Sequence, residues 1–504
     1  MRRDLSAVII GAGFGGLAAA VELRRQGVRD VTVLEKADRV GGVWRDNTYP
    51  GAACDVPSSL YSYSFSPNPT WERRYAEQPD ILGYIERVAD QEGLTPLVRT
   101  GTEVTDAEWD AASCRWRVSA RTADGTTTTY DADLLVSAVG QLSRPQLPAL
   151  PGLEAFEGPA FHSAQWDHEV DLTGKRVAVV GTGASAIQFV PHLQRRAEHV
   201  TVFQRSAPYV VPKPDRAYHR LHHRAFRRVP PTQAFGRELT RSLSELLNRG
   251  LAEQTAFTKA FLVAFKLHLR HQVKDPVLRA RLVPDYPVGC KRLLFSNDWY
   301  PALTQPNVEV VTDRIAGVTP EGIRTVDGEV HAADVIVYGT GFRAAEFLEP
   351  MRIVGRDGRE LHTHEWADGA HAFLGLSVPG FPNFFMVYGP NTNLGGSSIL
   401  SMIECQTGYL GQVAALLRSG EASSVEVRRE VAERYDHEMQ ERLSQSVWTS
   451  GCASWYQTPS GRVTTNWPGQ VREYRERTET FEPADYVCTA AAEEANATRV
   501  LPTA

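Results

Sequence analysis

Two stretches of the chain share one pattern of apolar and glycine positions. Each begins with a short apolar run typical of a buried strand, at residues 7–10 and 177–180, and continues through a glycine turn into apolar residues at helical spacing. A second apolar run follows and ends at Glu35 in the first stretch and at Arg205 in the second. This repeated order of strand, glycine turn, helix and strand predicts two doubly wound α/β units that bind dinucleotides.

The rest of the pattern predicts elements around these two units. Helices are predicted at 17–26, 80–93 and about 398–418, and strands at 55–65, 104, 116–118, 126–130, 134–139, 334–339 and within 371–392. We interpret the strand at 334–339 as the return of the chain to the first unit. The proline-rich residues 141–152 look like the connection between the two units.

The first unit suits a dinucleotide with an unmodified ribose. Small residues in its turn let a pyrophosphate approach the backbone, and the helix N-terminus supplies free N–H groups. Glu35 can accept hydrogen bonds from a ribose diol and would repel a 2′-phosphate. We expect FAD or NAD here, held by Gly11, Gly13, Phe14, Gly15, Gly16, Glu35, Lys36, Gly42, Val43, Trp44, Tyr61, Val104 and Gln141.

The second unit suits a phosphorylated ribose. Arg205 stands where the first unit has its acidic residue, and a guanidinium there suits a phosphate dianion. We expect NADPH in this unit, held by Gly181, Thr182, Gly183, Ser185, Gln188 and Arg205. Two such sites in one chain indicate an enzyme that passes electrons from NADPH to a flavin.

Residues 211–292 differ in charge from the rest of the chain. They hold 17 Lys and Arg against 6 Asp and Glu, although the whole chain has a net charge of −6. Apolar residues recur at helical spacing, at Leu243, Leu246, Leu247, Leu251, Phe257, Phe261, Leu262 and Phe265. We predict a helical insertion in the second unit. Solvated helix faces account for most of this charge, with attraction of NADPH phosphates or of a membrane surface as alternatives.

These patterns give a domain prediction for the 504 residues. The FAD domain takes 1–145 and 336–485, the NADP domain takes 146–210 and 286–335, the helical insertion takes 211–285, and 486–504 form a disordered tail.

Composition adds an expected location. The six cysteines form no CxxC pair and no metal spacing, so we expect reduced thiols in a cytoplasmic protein. The first unit begins within ten residues of Met1 and leaves no room for a signal peptide, and no apolar run is long enough to span a membrane. The net charge gives no sign of nucleic-acid binding, and nothing in the sequence indicates the oligomeric state.

Four separated motifs carry a resemblance to a known family. The string Phe156-Glu-Gly158-Pro-Ala-Phe-His162-Ser-Ala-Gln-Trp166-Asp167 resembles the fingerprint of type I Baeyer–Villiger monooxygenases, and residues 41–55 resemble a second fingerprint of that family. Residues 289–292 (Gly-Cys-Lys-Arg) and 452–456 (Cys-Ala-Ser-Trp-Tyr) resemble two further landmarks. The resemblance covers about 5–485 and departs from the family pattern at Arg45, Asp46, Ala53 and Gly339.

The resemblance implies a reaction in which NADPH reduces FAD, O2 adds to flavin C4a, and the peroxyflavin attacks a ketone to release an ester or lactone. Arg292 would keep the peroxide anionic, because an arginine does not surrender its proton. Asp55 would border the flavin and hold Arg292, Lys291 would join Arg205 on the 2′-phosphate, and Trp455 would cover bound NADP. His162 and Trp166 would hold an interdomain hinge at 141–170.

Three other functions fit parts of the pattern. A flavin N- or S-oxygenase uses a protonated hydroperoxide and does not need Arg292. A disulfide reductase also has two nucleotide domains but requires a redox-active cysteine pair, and Cys54 stands alone. A flavoprotein sensor would not need a 2′-phosphate site. We expect ketone oxygenation, with N- or S-oxygenation as the alternative.

Overall fold

The computed structural model describes residues 3–252, 256–449, 451, 456–458 and 460–490. Two five-stranded parallel sheets organise these residues, and each grows from one of the two predicted strand–glycine–helix units. The predicted fold class, α/β with two Rossmann-like dinucleotide-binding domains and a helical insertion, is confirmed.

The first sheet has a fully buried central strand. From edge to edge it runs through Phe384–Met386, Leu134–Ser137, Ser6–Ile10, Asp30–Leu34 and Val98–Arg99. Every residue of Ser6–Ile10 is buried, as its unbroken apolar run requires in a parallel sheet covered on both faces. The helix Phe14–Arg25 follows this strand and packs against the long helix Ile399–Ser419.

The second sheet has the same arrangement at its centre, but one of its edge strands, Ala160–His162, precedes the glycine unit in the chain. It runs through Val308–Val311, His199–Phe203, Arg176–Val180, Val335–Tyr338 and Ala160–His162. In both sheets the strand before the glycine turn is flanked by the next strand of its unit on one side and by a later strand on the other. This reversal of strand order is the switch point at which such sheets bind ligands.

The strand Val335–Tyr338 corrects one domain boundary. It pairs with Arg176–Val180 and Ala160–His162, so it belongs to the second sheet and the predicted division between 335 and 336 is wrong. A buried apolar run shows that a strand is covered on both faces but not which sheet it joins.

Smaller sheets and further helices surround the two large sheets. A four-stranded sheet contains Thr102–Asp110, Arg115–Thr122, Thr127–Ala132 and Arg352–Val354, and a three-stranded sheet contains Ile315–Thr319, Gly322–Thr325 and Val330–Ala332. Two strand pairs are formed by Val210–Val211 with Leu294–Phe295 and by Ser424–Val427 with Tyr486–Thr489. The helices are Val43–Asp46, Gln78–Gln91, Ala186–Gln194, Trp299–Leu303, Arg429–Ser444 and Val471–Thr478.

The basic segment is helical. Its helices are Arg220–Arg228, Pro230–Ala252, Ala256–Gln272 and Pro276–Arg281. Phe265 is buried in the core of the second unit, whereas Leu243 and Leu246 are exposed. Within the described part of the chain, no helix combines the length and the apolar character that crossing a membrane requires.

Two other predictions are wrong. Residues 55–65 form turns instead of a strand, because their aromatic side chains enter a cluster in which the Tyr63 hydroxyl donates to the Phe14 carbonyl over 2.6 Å. The tail is ordered at its start, where Tyr486–Thr489 pairs antiparallel with Ser424–Val427. Residues 491–504 lie outside the described residues.

Candidate active site

The carboxyl ends of both sheets open onto one cavity of ≈ 1690 Å³. Of the residues predicted to bind cofactors or to act in catalysis, the described ones that line it are Gly11, Gly13, Phe14, Gly15, Glu35, Lys36, Gly42, Val43, Trp44, Asp55, Tyr61, Val104, Gln141, Gly181, Thr182, Gly183, Ser185, Gln188, Arg205, Lys291 and Arg292. Gly16 does not line the cavity, and Trp455 lies outside the described residues. The fold therefore brings the two predicted cofactor sites together.

The first glycine turn, Gly11–Gly16, has two positions, Gly11 and Gly16, at which a side chain would clash with the backbone. Gly11 has φ +100°, and a Cβ on it would lie 2.8 Å from the Ala138 carbonyl oxygen. A Cβ on Gly16 would lie 1.8 Å from the Gly11 carbonyl oxygen, so Gly16 shapes the turn from behind. A Cβ on Gly42 would lie 3.2 Å from the Cα of Gly13, so these two glycines let their loops approach each other closely at the wall of the cavity.

Glu35, directly after the strand Asp30–Leu34, is hydrogen-bonded to this turn. One carboxylate oxygen accepts the Ala12 N–H at 2.8 Å, and the other accepts the Ala37 N–H at 3.0 Å. The side chain is buried beside Lys36 and faces the cavity. A ribose diol at this position would meet a carboxylate whose orientation is already fixed.

Arg45 is a site residue that the sequence did not reveal. Its guanidinium lies 3.0 Å from Glu35 and forms a two-point contact with Asp46, at 2.7 and 3.1 Å. Burial lowers the pKa of Arg45, but the hydrogen bond and charge of Asp46 and the charge of Glu35 more than offset this and raise it. The sequence did contain a signal for this role, because Arg45 and Asp46 stand side by side after Trp44 and a charged side chain is seldom buried without a partner.

Aromatic and amide groups continue the wall of the cavity near the first unit. The Trp44 indole donates to the Tyr61 hydroxyl at 3.0 Å, and the Tyr61 ring packs edge-on against Phe14. The Gln141 amide donates to the carbonyls of Tyr388 and Gly389, both at 3.2 Å. Its buried oxygen has no hydrogen-bond donor among the described residues, which fits a site completed by a bound polar ligand.

The second glycine turn, Gly181–Ala186, is equally tight. Gly181 has φ +108°, and a Cβ there would lie 2.4 Å from the Gly339 carbonyl oxygen. Gln188 lines the cavity, but its amide accepts the Tyr49 hydroxyl at 3.0 Å and donates to the Ala53 carbonyl at 2.9 Å. These contacts connect the second unit to the loop that leads to Asp55.

Arg205 and Lys291 form a cationic corner of the cavity. The Lys291 ammonium donates to the Ser206 hydroxyl at 2.9 Å and lies 4.4 Å from the centre of the Tyr286 ring. Burial, and after it the positive charge of Arg205, lower the pKa of Lys291. A lysine whose charge is disfavoured by a neighbouring arginine suits a site for a dianion such as a 2′-phosphate.

Asp55 and Arg292 form a bidentate ion pair inside the same cavity. The guanidinium Nε lies 2.7 Å from Asp55 Oδ2, and Nη2 lies 2.8 Å from Oδ1. The charge of Asp55 raises the pKa of Arg292 despite its burial. Burial would raise the pKa of Asp55, but the charge and hydrogen bonds of Arg292 hold it below its ordinary value. Both groups are therefore charged at neutral pH.

The cysteines depart in part from the prediction of reduced thiols. Cys290 is disulfide-bonded, which contradicts that prediction, whereas Cys54, Cys405 and Cys488 are free thiols. Burial raises the pKa of the Cys54 thiol to about 12. A protonated thiol at neutral pH is a poor nucleophile, so Cys54 does not resemble the reactive cysteine of a disulfide reductase.

His162 and Trp166 lie behind the cavity and do not line it. His162 is buried, its ring meets Phe342 edge-on, and its burial lowers the pKa of the imidazole. Trp166 packs between Phe161 and Phe189, after the carboxyl end of the strand Ala160–His162. Neither side chain is placed to contact a ligand, and their role in a hinge remains a prediction.

Known proteins resemble this chain over most of its length. A family described as pyridine nucleotide-disulphide oxidoreductase matches residues 8–221. A "Baeyer-Villiger monooxygenase" of Streptomyces coelicolor is 46% identical over 95% of this chain and 91% of its own, and one of Pseudomonas aeruginosa is 42% identical over 97% and 92%.

Solved structures of similar proteins contain both expected nucleotides. "Oxidized steroid monooxygenase bound to NADP" has a TM-score of 0.85 at 32% identity, covering 96% of this chain and 99% of its own. A structure of OTEMO in complex with FAD and NADP has a TM-score of 0.85 at 28% identity, covering 95% and 98%.

Proposed function

The chain belongs to the Baeyer–Villiger monooxygenases, and from this membership we propose that it uses NADPH and O2 to insert one oxygen atom beside a ketone carbonyl, giving an ester or lactone. The observation that carries the proposal is the Asp55–Arg292 ion pair, which lies in a cavity shared by both glycine turns. FAD, when bound, accepts a hydride from NADPH and activates O2.

The cavity offers a distinct place for each nucleotide. FAD would lie along Gly11, Gly13 and Gly42, with its ribose at Glu35 and its polar groups near Gln141. NADPH would lie along Gly181 and Gly183, with its 2′-phosphate at Arg205 and Lys291. The tight turns, the oriented carboxylate and the paired cations fit these groups, and the relatives' structures with FAD and NADP support the same pairing.

Arg292 supplies the fixed positive charge that the reaction needs. An oxygen nucleophile must stay unprotonated to attack a carbonyl, and the attack places negative charge on the carbonyl oxygen. A guanidinium stabilises both charges without giving up a proton. Its Nη1 lies 3.4 Å from the Leu394 carbonyl, a longer contact than the two made with Asp55, so this donor is the one most available to a ligand.

Asp55 acts through Arg292. Its two oxygens accept from Nε and Nη2, which fixes the guanidinium plane and turns the remaining edge away from Asp55. Both residues line the cavity, with side-chain exposures of 27% for Arg292 and 26% for Asp55. Orientation by a partner of this kind is how a long side chain is held at a reacting centre.

The proposal is tested by supplying the purified flavoprotein with NADPH, air and one ketone at a time. The panel contains a small cyclic, an aromatic and a steroid-sized ketone, since relatives include cyclohexanone and steroid monooxygenases. We expect at least one ketone to accelerate NADPH oxidation and to yield a product heavier by one oxygen atom. Oxidation of amines and sulfides together with inertness towards every ketone would instead assign the chain to N- or S-oxygenation.

A further inference from the structure

In the helix Pro230–Ala252, the large apolar side chains that the structure describes lie on the solvent-facing side. Phe235, Leu239, Leu243 and Leu246 are 71%, 58%, 51% and 66% exposed. At 3.6 residues per turn, these four positions lie within about 80° of arc on one face of the helix. They form a continuous stripe instead of scattered surface residues.

The opposite side of the same helix docks on the protein through polar groups. The Gln233 amide donates to the Asn68 carbonyl at 2.7 Å, and Arg237 donates to the Ser62 carbonyl at 2.5 Å. Arg237 also lies 3.4 Å from Glu404 on the helix Ile399–Ser419. A surface helix of a globular protein usually buries its apolar face and exposes its polar one. This helix does the reverse over its described side chains, so packing among the described residues does not account for the stripe.

Neighbouring helices extend this surface. Val263 and Leu267, on the adjacent helix Ala256–Gln272, are 60% and 64% exposed. Exposed cations lie along the two helices that contact this one, at Arg220, Arg224, Arg227, Arg228, Lys259, Lys266 and Arg270. We call the six apolar residues and these cations the outer face of the insertion.

We propose that the outer face of the insertion binds the surface of an anionic lipid bilayer. Apolar side chains on such a face enter the boundary between headgroups and acyl chains, and the surrounding Lys and Arg are attracted to anionic headgroups. Charge complementarity favours this occupant over a second copy of the chain. A symmetric pairing through this face would bring the same cations together, which opposes association.

The test measures co-sedimentation of the full-length, flavin-loaded protein with lipid vesicles. We expect binding to vesicles that contain phosphatidylglycerol, little binding to phosphatidylcholine alone, and weaker binding at high salt. The combined variant Phe235→Ser, Leu239→Ser and Leu246→Ser should lower vesicle affinity at least about tenfold. The control variant Val326→Ser and Val487→Ser removes exposed apolar residues outside the insertion and should bind like the unchanged protein.

A second variant keeps the proposal testable if the serine variant does not fold. Arg224→Glu combined with Arg227→Glu keeps the apolar stripe and should also lower affinity for phosphatidylglycerol vesicles at least about tenfold. Absence of vesicle binding by the unchanged protein would overturn the proposal. Vesicle binding by both outer-face variants with the same affinity as the unchanged protein would also overturn it. It would also be overturned if the outer face mediated self-association that the serine variant abolishes while vesicle binding stays the same.

Discussion

Arg292 and Asp55 meet in a two-point ion pair although 237 residues separate them along the chain. Asp55 lies in the loop that follows the first glycine unit, and Arg292 follows the helical insertion of the second unit. Only the folded arrangement of both units places the guanidinium beside the carboxylate in the shared cavity. The proposed chemistry therefore depends on how the two nucleotide domains sit against each other.

Loss of the Asp55 charge should misplace Arg292 without removing it. Asp55→Asn keeps the size of the side chain but weakens both hydrogen bonds, and a displaced catalytic group costs about 100-fold in rate. We expect kcat for ester formation to fall by about that factor with flavin content unchanged. Asp106→Asn, an exposed carboxylate of similar kind, is the control and should retain full activity.

The pH profile checks the same pair. The pKa of Asp55 is held below its ordinary value, so the stabilisation from pairing is complete above the unfolded pKa of about 4 and is lost only as pH falls through the lower folded value. Asp55 should therefore contribute no loss of activity between about pH 5 and pH 8. An acidic limb in that range which Asp55→Asn removes would contradict the assigned charge state.

Selectivity for NADPH should depend on the cationic corner. Arg205→Ala should raise KM for NADPH by about 10- to 100-fold and leave KM for NADH nearly unchanged, because only NADPH carries the 2′-phosphate. Lys175→Ala, an exposed lysine outside the cavity, is the control. Equal effects on both nucleotides would show that Arg205 does not contact the 2′-phosphate.

Lys291 should add a pH dependence to NADPH binding. Its lowered pKa means that it loses its charge at a lower pH than an ordinary lysine, so NADPH affinity should weaken as the solution becomes alkaline. Lys291→Arg keeps the charge at all these pH values and should flatten the dependence. Fluorescence titration of NADP binding at a series of pH values measures this dependence without turnover.

Arg45 should determine how long FAD stays bound. Arg45→Leu leaves Glu35 with its backbone donors but without its charged partner, so the carboxylate that faces the ribose becomes less well fixed. We expect FAD to dissociate about tenfold faster, since a buried charge that loses its partner is destabilised. Release is followed by the rise in flavin fluorescence after dilution, and the exposed Arg87→Leu is the control. Unchanged dissociation would leave Arg45 with a packing role alone.

The sequence revealed the periodic parts of the molecule and the glycine turns. The helix predicted at 80–93 is Gln78–Gln91, and that at 398–418 is Ile399–Ser419, because amphipathic spacing is a local property. Most of the residues predicted to bind cofactors line the cavity, because motif positions tie each of them to a turn or strand end, whereas many other lining residues were not predicted.

The errors arose where distant contacts decide the structure. Tyr63 alternates with polar neighbours as in a strand, but its hydroxyl reaches Phe14 and the segment turns instead. Tyr486–Thr489 looked like the start of a tail because its partner, Ser424–Val427, lies elsewhere in the chain. The contact between Arg45 and Glu35 and the disulfide of Cys290 likewise depend on residues that fold together.

The ratio of ester formed to NADPH consumed in Arg292 variants tests the central claim most directly. We expect Arg292→Ala to keep flavin and to oxidise NADPH, but to form hydrogen peroxide and at least about 1,000-fold less ester, because removing a main stabiliser of developing negative charge costs a factor of this size. Arg292→Lys should restore only a small part of the lost ester formation, since the lysine ammonium cannot reproduce the bidentate contact with Asp55. Ester formation by Arg292→Ala at a rate close to that of the unchanged enzyme would contradict the account.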